Sequence, residues 1–179
     1  VSGKGISAAM LMANFQATIR TLFKYQRFEM SFLMEELNKL VMKSAKGEKF
    51  ITFFLAHYNA YTRKMTYVNA GHNHPILLNG RKVTMLKDGC IGLGMLDELP
   101  SIKVGKLVLN PNTTFVLFTD GVVELENESG EQFSVERLIK NVQAYSPLKM
   151  EDMNNIIFSK LEDWKGPLNY VDDTAIFSC

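Results

Sequence analysis

The hydrophobic pattern of this chain changes period once, near residue 50, and that change limits the folds open to it. Residues 6–25 contain neither Gly nor Pro, and their apolar side chains recur every three or four positions, which predicts a helix. A second helix is predicted over 31–44, with Gly47 just past its end. Beyond residue 50, aromatic and branched side chains come in short runs between polar turns, which is typical of strands.

The first helix has only a thin polar face, so we expect it to be buried on more than one side. The residues predicted to point inward are Ala9, Leu11, Met12, Phe15, Ile19, Leu22 and Phe23 in the first helix, and Phe32, Leu33, Leu37, Leu40 and Val41 in the second. Two readings of this helical layer stay open. It forms a contact surface for a partner domain or subunit, or it merely covers one face of a sheet.

The remaining elements follow from the strand pattern. Strands are predicted over 50–61, 65–70, 75–78, 82–86, 101–109, 114–119 and 173–178, and late helices over 135–144 and 150–163. The Asn79-Gly80 pair favours a type I′ hairpin turn. The nearly unbroken apolar run 114–119 indicates a central strand. This order of elements predicts one α+β domain over 1–179 with an antiparallel sheet.

Length and charge exclude several classes of protein. The 179 residues carry 20 Lys and Arg against 19 Asp and Glu, so the chain lacks the basic field of a dedicated nucleic-acid binder. No apolar run reaches the ~18–20 residues of a membrane span, and two cysteines are too few for a disulfide framework. We therefore expect a soluble, cytoplasmic domain. Because the sequence begins at Val1 rather than Met, we expect it to be part of a longer protein.

Three short segments place carboxylates or glycines at the predicted end of an element. Residues 1–5 (VSGKG) lead into the first helix, but their lysine is followed by glycine, so a P-loop is rejected and a flexible turn stays open. Asp120 follows the central strand, where a carboxylate is well placed for a hard cation, although Asp-Gly alone is more often a plain turn. Asp172 and Asp173 open the last strand, where neighbouring side chains point to opposite faces, so at most one easily joins a given site.

The histidines and hydroxyl side chains give weaker signals. His72 and His74 could share one face of a strand, as a metal pair would, but no acidic residue or cysteine lies close by in the sequence. We favour histidines that hydrogen-bond loop backbone. Thr119 lacks the surroundings of a nucleophile, so covalent catalysis by it is not predicted.

Taken together, six blocks of the sequence resemble one family. They are VSGKGISAAMLMA (1–13), YVNAGHN (67–73), IGLG (91–94), FTDGVVE (118–124), FSVERL (133–138) and the DD pair (172–173). In this order they are similar to the motifs of the SpoIIE/RsbU-like bacterial phosphatases, which belong to the metal-dependent PPM class of serine/threonine phosphatases. The resemblance implies an antiparallel β-sandwich flanked by helices. It also implies two Mn²⁺ or Mg²⁺ ions that activate water for attack on phosphoserine or phosphothreonine.

The same resemblance implies roles for individual residues. Asp120 would be a catalytic metal ligand through its carboxylate, and so would Asp172, the first aspartate of the family's D-D-x-T pattern. Because Thr174 follows the pair at once here, Asp173 stays an alternative ligand. Val1 occupies the position whose backbone carbonyl binds one metal in the family.

One departure from the family concerns the start of the sequence. The bridging aspartate of the family stands immediately before the V-S-G-K-G loop, and the strands that precede this loop are not in this sequence. We therefore expect an N-terminally truncated domain, with weak metal binding and little activity from this polypeptide alone.

The resemblance implies a protein phosphatase of bacterial signalling. Its substrate would be a phosphorylated regulatory protein, by family analogy an anti-sigma-factor antagonist. A sensor or receiver domain in the parent chain, and a second copy in a homodimer, are the expected partners. The alternative is a degenerate phosphatase domain that binds a phosphoprotein without turning it over.

Overall fold

The computed structural model of the chain describes residues 1–3, 5–25 and 29–179, and it leaves out the side chains of 23–25. The inward position predicted for Phe23 and the lysine of the VSGKG loop therefore lie outside the described residues. The chain divides into two compact units. Unit one comprises Val1–His72 and Lys87–Leu109, and unit two comprises Asn73–Leu86 and Asn110–Cys179.

The helices and strands agree in kind and order with those predicted. In chain order they are α1 (Ile6–Tyr25), α2 (Met30–Ala45), β1 (Phe53–Asn59), β2 (Lys64–Ala70), β3 (Ile76–Asn79), β4 (Lys82–Met85), β5 (Gly89–Cys90), β6 (Gly105–Val108), β7 (Thr113–Phe118), α3 (Asp120–Val123), α4 (Ser134–Tyr145), α5 (Met150–Lys165) and β8 (Ile176–Ser178). The two-residue strand β5 and the short helix α3 were not predicted. In the part of the chain that the structure describes, no helix has the length and hydropathy needed to cross a bilayer.

Unit one is a sheet centred on β2 with α1 and α2 packed against it. Strand β2 pairs antiparallel with β1 along one edge, and with β6 (antiparallel) and β5 (parallel) along the other. The buried core of this unit contains Leu11, Phe15, Leu33, Met34, Leu37, Val41, Ile51, Val68, Ala70 and Leu93. Apolar residues at positions 33, 37 and 41 lie on one face of α2, so the helical period predicted from the sequence fixes this contact.

A buried polar side chain ties α2 to the loop after β5. Asn38 is only 1% exposed. Its Nδ2 donates to the carbonyls of Leu96 (2.9 Å) and Asp97 (3.1 Å), and its Oδ1 accepts from the backbone N–H of Gly94 (2.8 Å). The side chain thus satisfies three backbone groups of a loop that has no strand partner there.

Unit two is a fully antiparallel sheet in the order β4-β3-β7-β8. Its buried core contains Ile76, Leu78, Val116, Phe118, Val122, Val123, Leu125, Phe133, Leu138, Val142, Met153, Ile157 and Leu161. Strand β7 lies between β3 and β8, which confirms the central strand predicted from its apolar run. The last residue of β7, Phe118, pairs with Ile176 of β8, so this neighbour holds the end of the strand.

The chain between α3 and α4 is held by one aromatic and one basic side chain. Trp164 of α5 donates its indole N–H to the Leu125 carbonyl at 3.1 Å, and the Arg137 guanidinium lies 4.2 Å from the centre of the indole ring. Arg137 also donates to the Gln132 carbonyl at 3.2 Å. The arginine of the FSVERL block therefore has a structural role in unit two.

The predicted burial of the helices is wrong in two places. Helix α1 buries a single stripe (Ala8, Leu11 and Phe15), whereas Ala9 and Met12, which were predicted to point inward, are exposed, Met12 by 47%. Its thin polar face therefore does not mean burial on several sides. On α2, Phe32 is 47% exposed, because it stands outside the stripe that begins at Leu33.

Several predicted strands are longer than the observed ones. The strand predicted over 101–109 pairs only over Gly105–Val108, since β2 offers Lys64–Tyr67 as its partners there. The hairpin between β3 and β4 is confirmed, and Asn79 pairs with Lys82 at its end. Of the two residues in its turn, Gly80 has a positive φ and Arg81 does not, so the turn is not the type I′ turn predicted at Asn79-Gly80.

Candidate metal centre

Asp120 stands where the central strand of unit two ends. The strand buries Val116 and Phe118 completely or nearly so, and Thr119 continues in an extended conformation before the chain turns into α3 at Asp120. The Asp120 side chain is exposed, and its Oδ1 accepts a hydrogen bond from the backbone N–H of Gly121 at 3.2 Å. The accessible carboxylate of Asp120 therefore follows directly after a buried strand.

The segment that carries the other two aspartates returns to the same strand end. Thr119 N–H donates to the Ala175 carbonyl at 3.1 Å. The Thr119 hydroxyl donates to the Asp173 carbonyl at 2.7 Å and accepts from the Ala175 N–H at 2.9 Å. From the other side, the Thr174 hydroxyl lies 3.2 Å from the Gly121 carbonyl. Residues that are more than 50 positions apart in the sequence therefore meet here.

Gly121 allows this close approach. A Cβ added at this position would lie 2.6 Å from the Asp173 carbonyl oxygen and 3.1 Å from that of Asp172. Gly121 is not among the residues with positive φ, so it is required by space and not by backbone conformation. The Asp-Gly pair is thus more than the plain turn that local reasoning favours.

Both members of the Asp172–Asp173 pair are exposed. Asp172 Oδ1 accepts from the backbone N–H of Asp173 at 2.8 Å, which leaves its other carboxylate oxygen outside that bond. The Asp173 carbonyl is the one held by Thr119 and packed against Gly121. Either carboxylate can serve as a ligand, so both stay candidates.

The segment before the Asp172–Asp173 pair is hydrogen-bonded to the end of α5. Tyr170 donates its hydroxyl to Glu162 Oε1 at 2.8 Å. Burial and then the hydrogen bond to Glu162 raise the pKa of Tyr170 to about 12. Together with the Leu168 N–H bond to the Lys165 carbonyl at 3.2 Å, this contact fixes the approach to Asp172.

Val1 belongs to unit one and is partly exposed. The next residue is fixed on both sides, because Ser2 N–H donates to the Phe50 carbonyl at 2.8 Å and Phe50 N–H donates to Ser2 Oγ at 2.9 Å. Gly3 has φ +78°, and a Cβ there would lie 2.8 Å from Lys49 Nζ. The start of the VSGKG loop is therefore an ordered segment, and the role of the Val1 carbonyl as a ligand stays a prediction.

The YVNAGHN block has a structural role in unit one. Asn69 is buried, its N–H donates to the Asp88 carbonyl at 3.0 Å, and its Oδ1 accepts from the His72 N–H at 2.8 Å. Gly71 and Gly89 allow backbone contacts closer than a side chain would permit. The metal-pair reading of His72 and the nearby His74 gains no support from these contacts.

The donors at the end of β7 fit a hard divalent cation in kind. They are carboxylate oxygens, which Mg²⁺ and Mn²⁺ prefer, and they stand on backbone that is hydrogen-bonded across the strand end. In the described ranges, no group of three or more His, Cys, Asp and Glu residues is arranged to hold a metal ion. The aspartates of unit two are therefore ligand candidates by their chemistry, and their role as ligands stays a prediction.

Sequence reasoning missed the residues that bring these aspartates together. Thr119 was considered only as a nucleophile, and Thr174 only as a spacer. The available signal was that each aspartate block contains a threonine directly beside its aspartate, since hydroxyl groups next to loop carboxylates commonly bond backbone. Asn38 was missed because asparagine in the middle of a helix usually faces solvent.

The chain is similar in sequence to a curated bacterial phosphatase. The chain is 29% identical over 170 residues to the phosphoserine phosphatase RsbU of Bacillus subtilis, and this match covers 92% of the chain and 50% of RsbU. The chain thus spans about half the length of this curated relative.

Solved structures show the same fold. The SiaA-PP2C domain of Pseudomonas aeruginosa matches with a TM-score of 0.81 at 18% identity, over 99% of this chain and 71% of that one. RsbX in complex with magnesium matches with a TM-score of 0.71 at 15% identity, over 99% and 75%. The predicted α+β fold of the PPM (PP2C) phosphatase class is therefore confirmed.

A match over the whole length of the sequence shows the family to which the chain belongs. The sequence model of the family described as Stage II sporulation protein E (SpoIIE) matches residues 1–179. The resemblance seen in the six motif blocks is confirmed, and this chain belongs to the SpoIIE family.

Proposed function

We propose that this chain is the catalytic domain of a metal-dependent protein serine/threonine phosphatase. The observation that carries the proposal is the contact at the end of β7, which holds Asp120 beside the Asp172–Asp173 segment. Membership of the SpoIIE family and the likeness to RsbU, named a phosphoserine phosphatase, support it. The substrate would be phosphoserine or phosphothreonine on a regulatory protein, by analogy an anti-sigma-factor antagonist.

The aspartates of unit two would supply carboxylate ligands. Asp120 and one member of the Asp172–Asp173 pair would hold Mn²⁺ or Mg²⁺, and the family resemblance proposes the Val1 carbonyl as a further ligand and two ions in all. Such ions neutralise the oxygens of a phosphomonoester and lower the pKa of a bound water, so that hydroxide is available at neutral pH. The magnesium present in RsbX supports this choice of metal.

The protein's own contribution is to fix the carboxylates. Asp120 begins α3 two residues after the inner strand β7, and its neighbours Thr119 and Gly121 contact the backbone of the Asp172–Asp173 segment. Because Asp120, Asp172 and Asp173 are all exposed, a phosphate group on a substrate protein can reach their carboxylates without the opening of a buried site. Precise placement of ligands by rigid elements is what a metal site of this kind requires.

The proposal is tested in the full-length protein by three amide substitutions. We expect Asp120→Asn to lower Mn²⁺-dependent hydrolysis of a phosphoserine peptide by at least about 100-fold, because one ligand charge is lost. Of Asp172→Asn and Asp173→Asn, one should match this loss and thereby identify the second ligand. Asp163→Asn, an exposed aspartate of α5 in the same unit, is the matched control and should keep full activity. Activity that survives both Asp120→Asn and EDTA would contradict the proposal.

One observation favours a second candidate function. In the described part of the chain no group of three or more His, Cys, Asp and Glu residues is arranged to hold a metal ion, which is compatible with a degenerate phosphatase that binds phosphoproteins without turnover. In that case the phosphoserine peptide would bind with the same affinity in Mn²⁺ and in EDTA, and no phosphate would be released.

A further inference from the structure

We propose that Thr119 is a positioning residue that sets the spacing between Asp120 and the Asp172–Asp173 segment, and thereby the metal affinity of the site. The inference rests on the proposed function and deepens it. It concerns a side chain that contacts neither substrate nor metal in this role.

The Thr119 hydroxyl both donates to and accepts from the backbone between Asp173 and Ala175. Its proton goes to the Asp173 carbonyl at 2.7 Å, and its oxygen accepts from the Ala175 N–H at 2.9 Å. A hydroxyl has one proton to donate. With that proton engaged and an N–H on its oxygen, Thr119 is poorly suited to act as a nucleophile or a metal ligand.

The hydroxyl extends the strand pairing beyond its natural end. The ladder between β7 and β8 ends with Phe118 paired to Ile176, and Thr119 N–H adds one bond to the Ala175 carbonyl. The backbone then turns away into α3 and can make no further ladder bonds. The side chain provides two more, and so holds the segment up to Asp173.

The reciprocal contact from Thr174 is weaker. Its hydroxyl lies 3.2 Å from both the Gly121 and the Asp172 carbonyls, and its single proton is shared between them. The two Thr119 bonds are shorter and do not compete with each other, and the second acceptor near the Thr119 proton, the Ala175 carbonyl, is farther away at 3.5 Å. For this reason we assign the positioning role to Thr119.

Removing the hydroxyl would leave the Asp173 carbonyl and the Ala175 N–H without this partner. The aspartate pair could then move relative to Asp120, and a metal ion would have to order it on binding. Loss of groups that orient metal ligands typically weakens metal binding about 10- to 100-fold. Substrate affinity at saturating metal should not change, because in this role Thr119 would not contact the phosphate.

The test compares Thr119→Val with Thr119→Ser in the full-length protein. Valine keeps the shape and removes the hydroxyl, whereas serine keeps the hydroxyl. We measure Mn²⁺ binding by titration calorimetry without substrate, and KM for a phosphoserine peptide at saturating Mn²⁺. Thr119→Val should weaken Mn²⁺ binding at least about 10-fold with KM unchanged, and Thr119→Ser should bind like the wild type.

The matched control lies at the other end of the same strand. Thr113 donates its hydroxyl to the Asn110 carbonyl at 2.8 Å, so Thr113→Val removes a similar bond far along β7 from Asp120. It should leave Mn²⁺ binding intact. Thr119→Ala, which removes the same hydroxyl without adding a methyl contact, is measured alongside in case Thr119→Val fails to fold.

Three results would overturn the inference. They are wild-type Mn²⁺ binding in Thr119→Val or Thr119→Ala, an equal loss in Thr119→Ser, and an equal loss in Thr113→Val. Asp120→Asn separates this failure from failure of the proposed function. If Asp120→Asn abolishes Mn²⁺ binding while Thr119→Val does not, only the role of Thr119 is wrong. If Asp120→Asn also binds Mn²⁺ normally, the proposed site itself is wrong.

Discussion

Adding one methyl group at Gly121 should separate the two aspartate-bearing segments. In Gly121→Ala the new Cβ would lie 2.6 Å from the Asp173 carbonyl oxygen, 3.0 Å from its carbonyl carbon and 3.1 Å from the Asp172 oxygen. These are backbone atoms and cannot rotate away as a flexible side chain would. Either α3 or the Asp172–Asp173 segment must move.

The size of the effect follows from the overlap. Overpacking by one carbon in a close contact typically costs about 1–3 kcal/mol of the free energy of unfolding. Moving the segment away would also lengthen the 2.7 Å bond from Thr119 to Asp173, which depends on the same approach. We therefore expect a lower melting temperature in EDTA together with a loss of Mn²⁺ binding of at least about 10-fold.

Gly130→Ala is a control matched for stability. Gly130 has φ +74°, and an added Cβ would meet nothing within 4 Å. Gly130→Ala should lower the free energy of unfolding by about 1–2 kcal/mol through backbone conformation alone, and it should leave Mn²⁺ binding unchanged. The reasoning is refuted if Gly121→Ala melts and binds Mn²⁺ like the wild type, or if Gly130→Ala loses Mn²⁺ binding to the same extent.

Two further predictions concern unit one. Asn38→Ala should lower the free energy of unfolding by about 1–3 kcal/mol, measured by urea denaturation, because three loop backbone groups lose their partner; an unchanged value would show that water replaces the side chain. Burial raises the pKa of the Cys90 thiol from 9.0 to about 11, so in a Cys179→Ser background iodoacetamide at pH 8 should label folded protein about 100-fold more slowly than unfolded protein. Because the unfolded chain gives up this proton first, the Cys90 contribution to stability is complete below pH 9.0 and is lost as the pH rises to about 11; equal labelling rates would contradict the assignment.

The sequence predicts the elements well because period and turn residues are local signals. The bounds of α1 and the position of β7 follow directly from runs without Gly or Pro and from an apolar run before Asp120. Burial is not local, and Ala9 and Met12, which were predicted to point inward but are exposed, show the difference. Their apolar character suggested an interior position, but nothing in the sequence of α1 states which of its faces the sheet covers.

In the candidate site, too, some features follow from the local sequence and others depend on tertiary contacts. Asp120 is identifiable as a ligand candidate from the strand before it and from the family resemblance. The need for glycine at position 121 cannot be identified from the local sequence. The atoms that exclude a side chain there belong to Asp172 and Asp173, some fifty residues further along the chain. A local reading therefore favours a plain turn, whereas the tertiary contact requires glycine.

The bonding of Trp164 has a consequence for how folding of this protein can be followed. It is the single tryptophan of the sequence and lies in unit two, where its indole donates to the Leu125 carbonyl at 3.1 Å. Intrinsic tryptophan fluorescence therefore senses the opening of unit two alone, whereas far-ultraviolet circular dichroism averages the helices of both units. Transitions that coincide by the two probes would mean that the units unfold as one cooperative body, and transitions that do not would mean that each melts by itself.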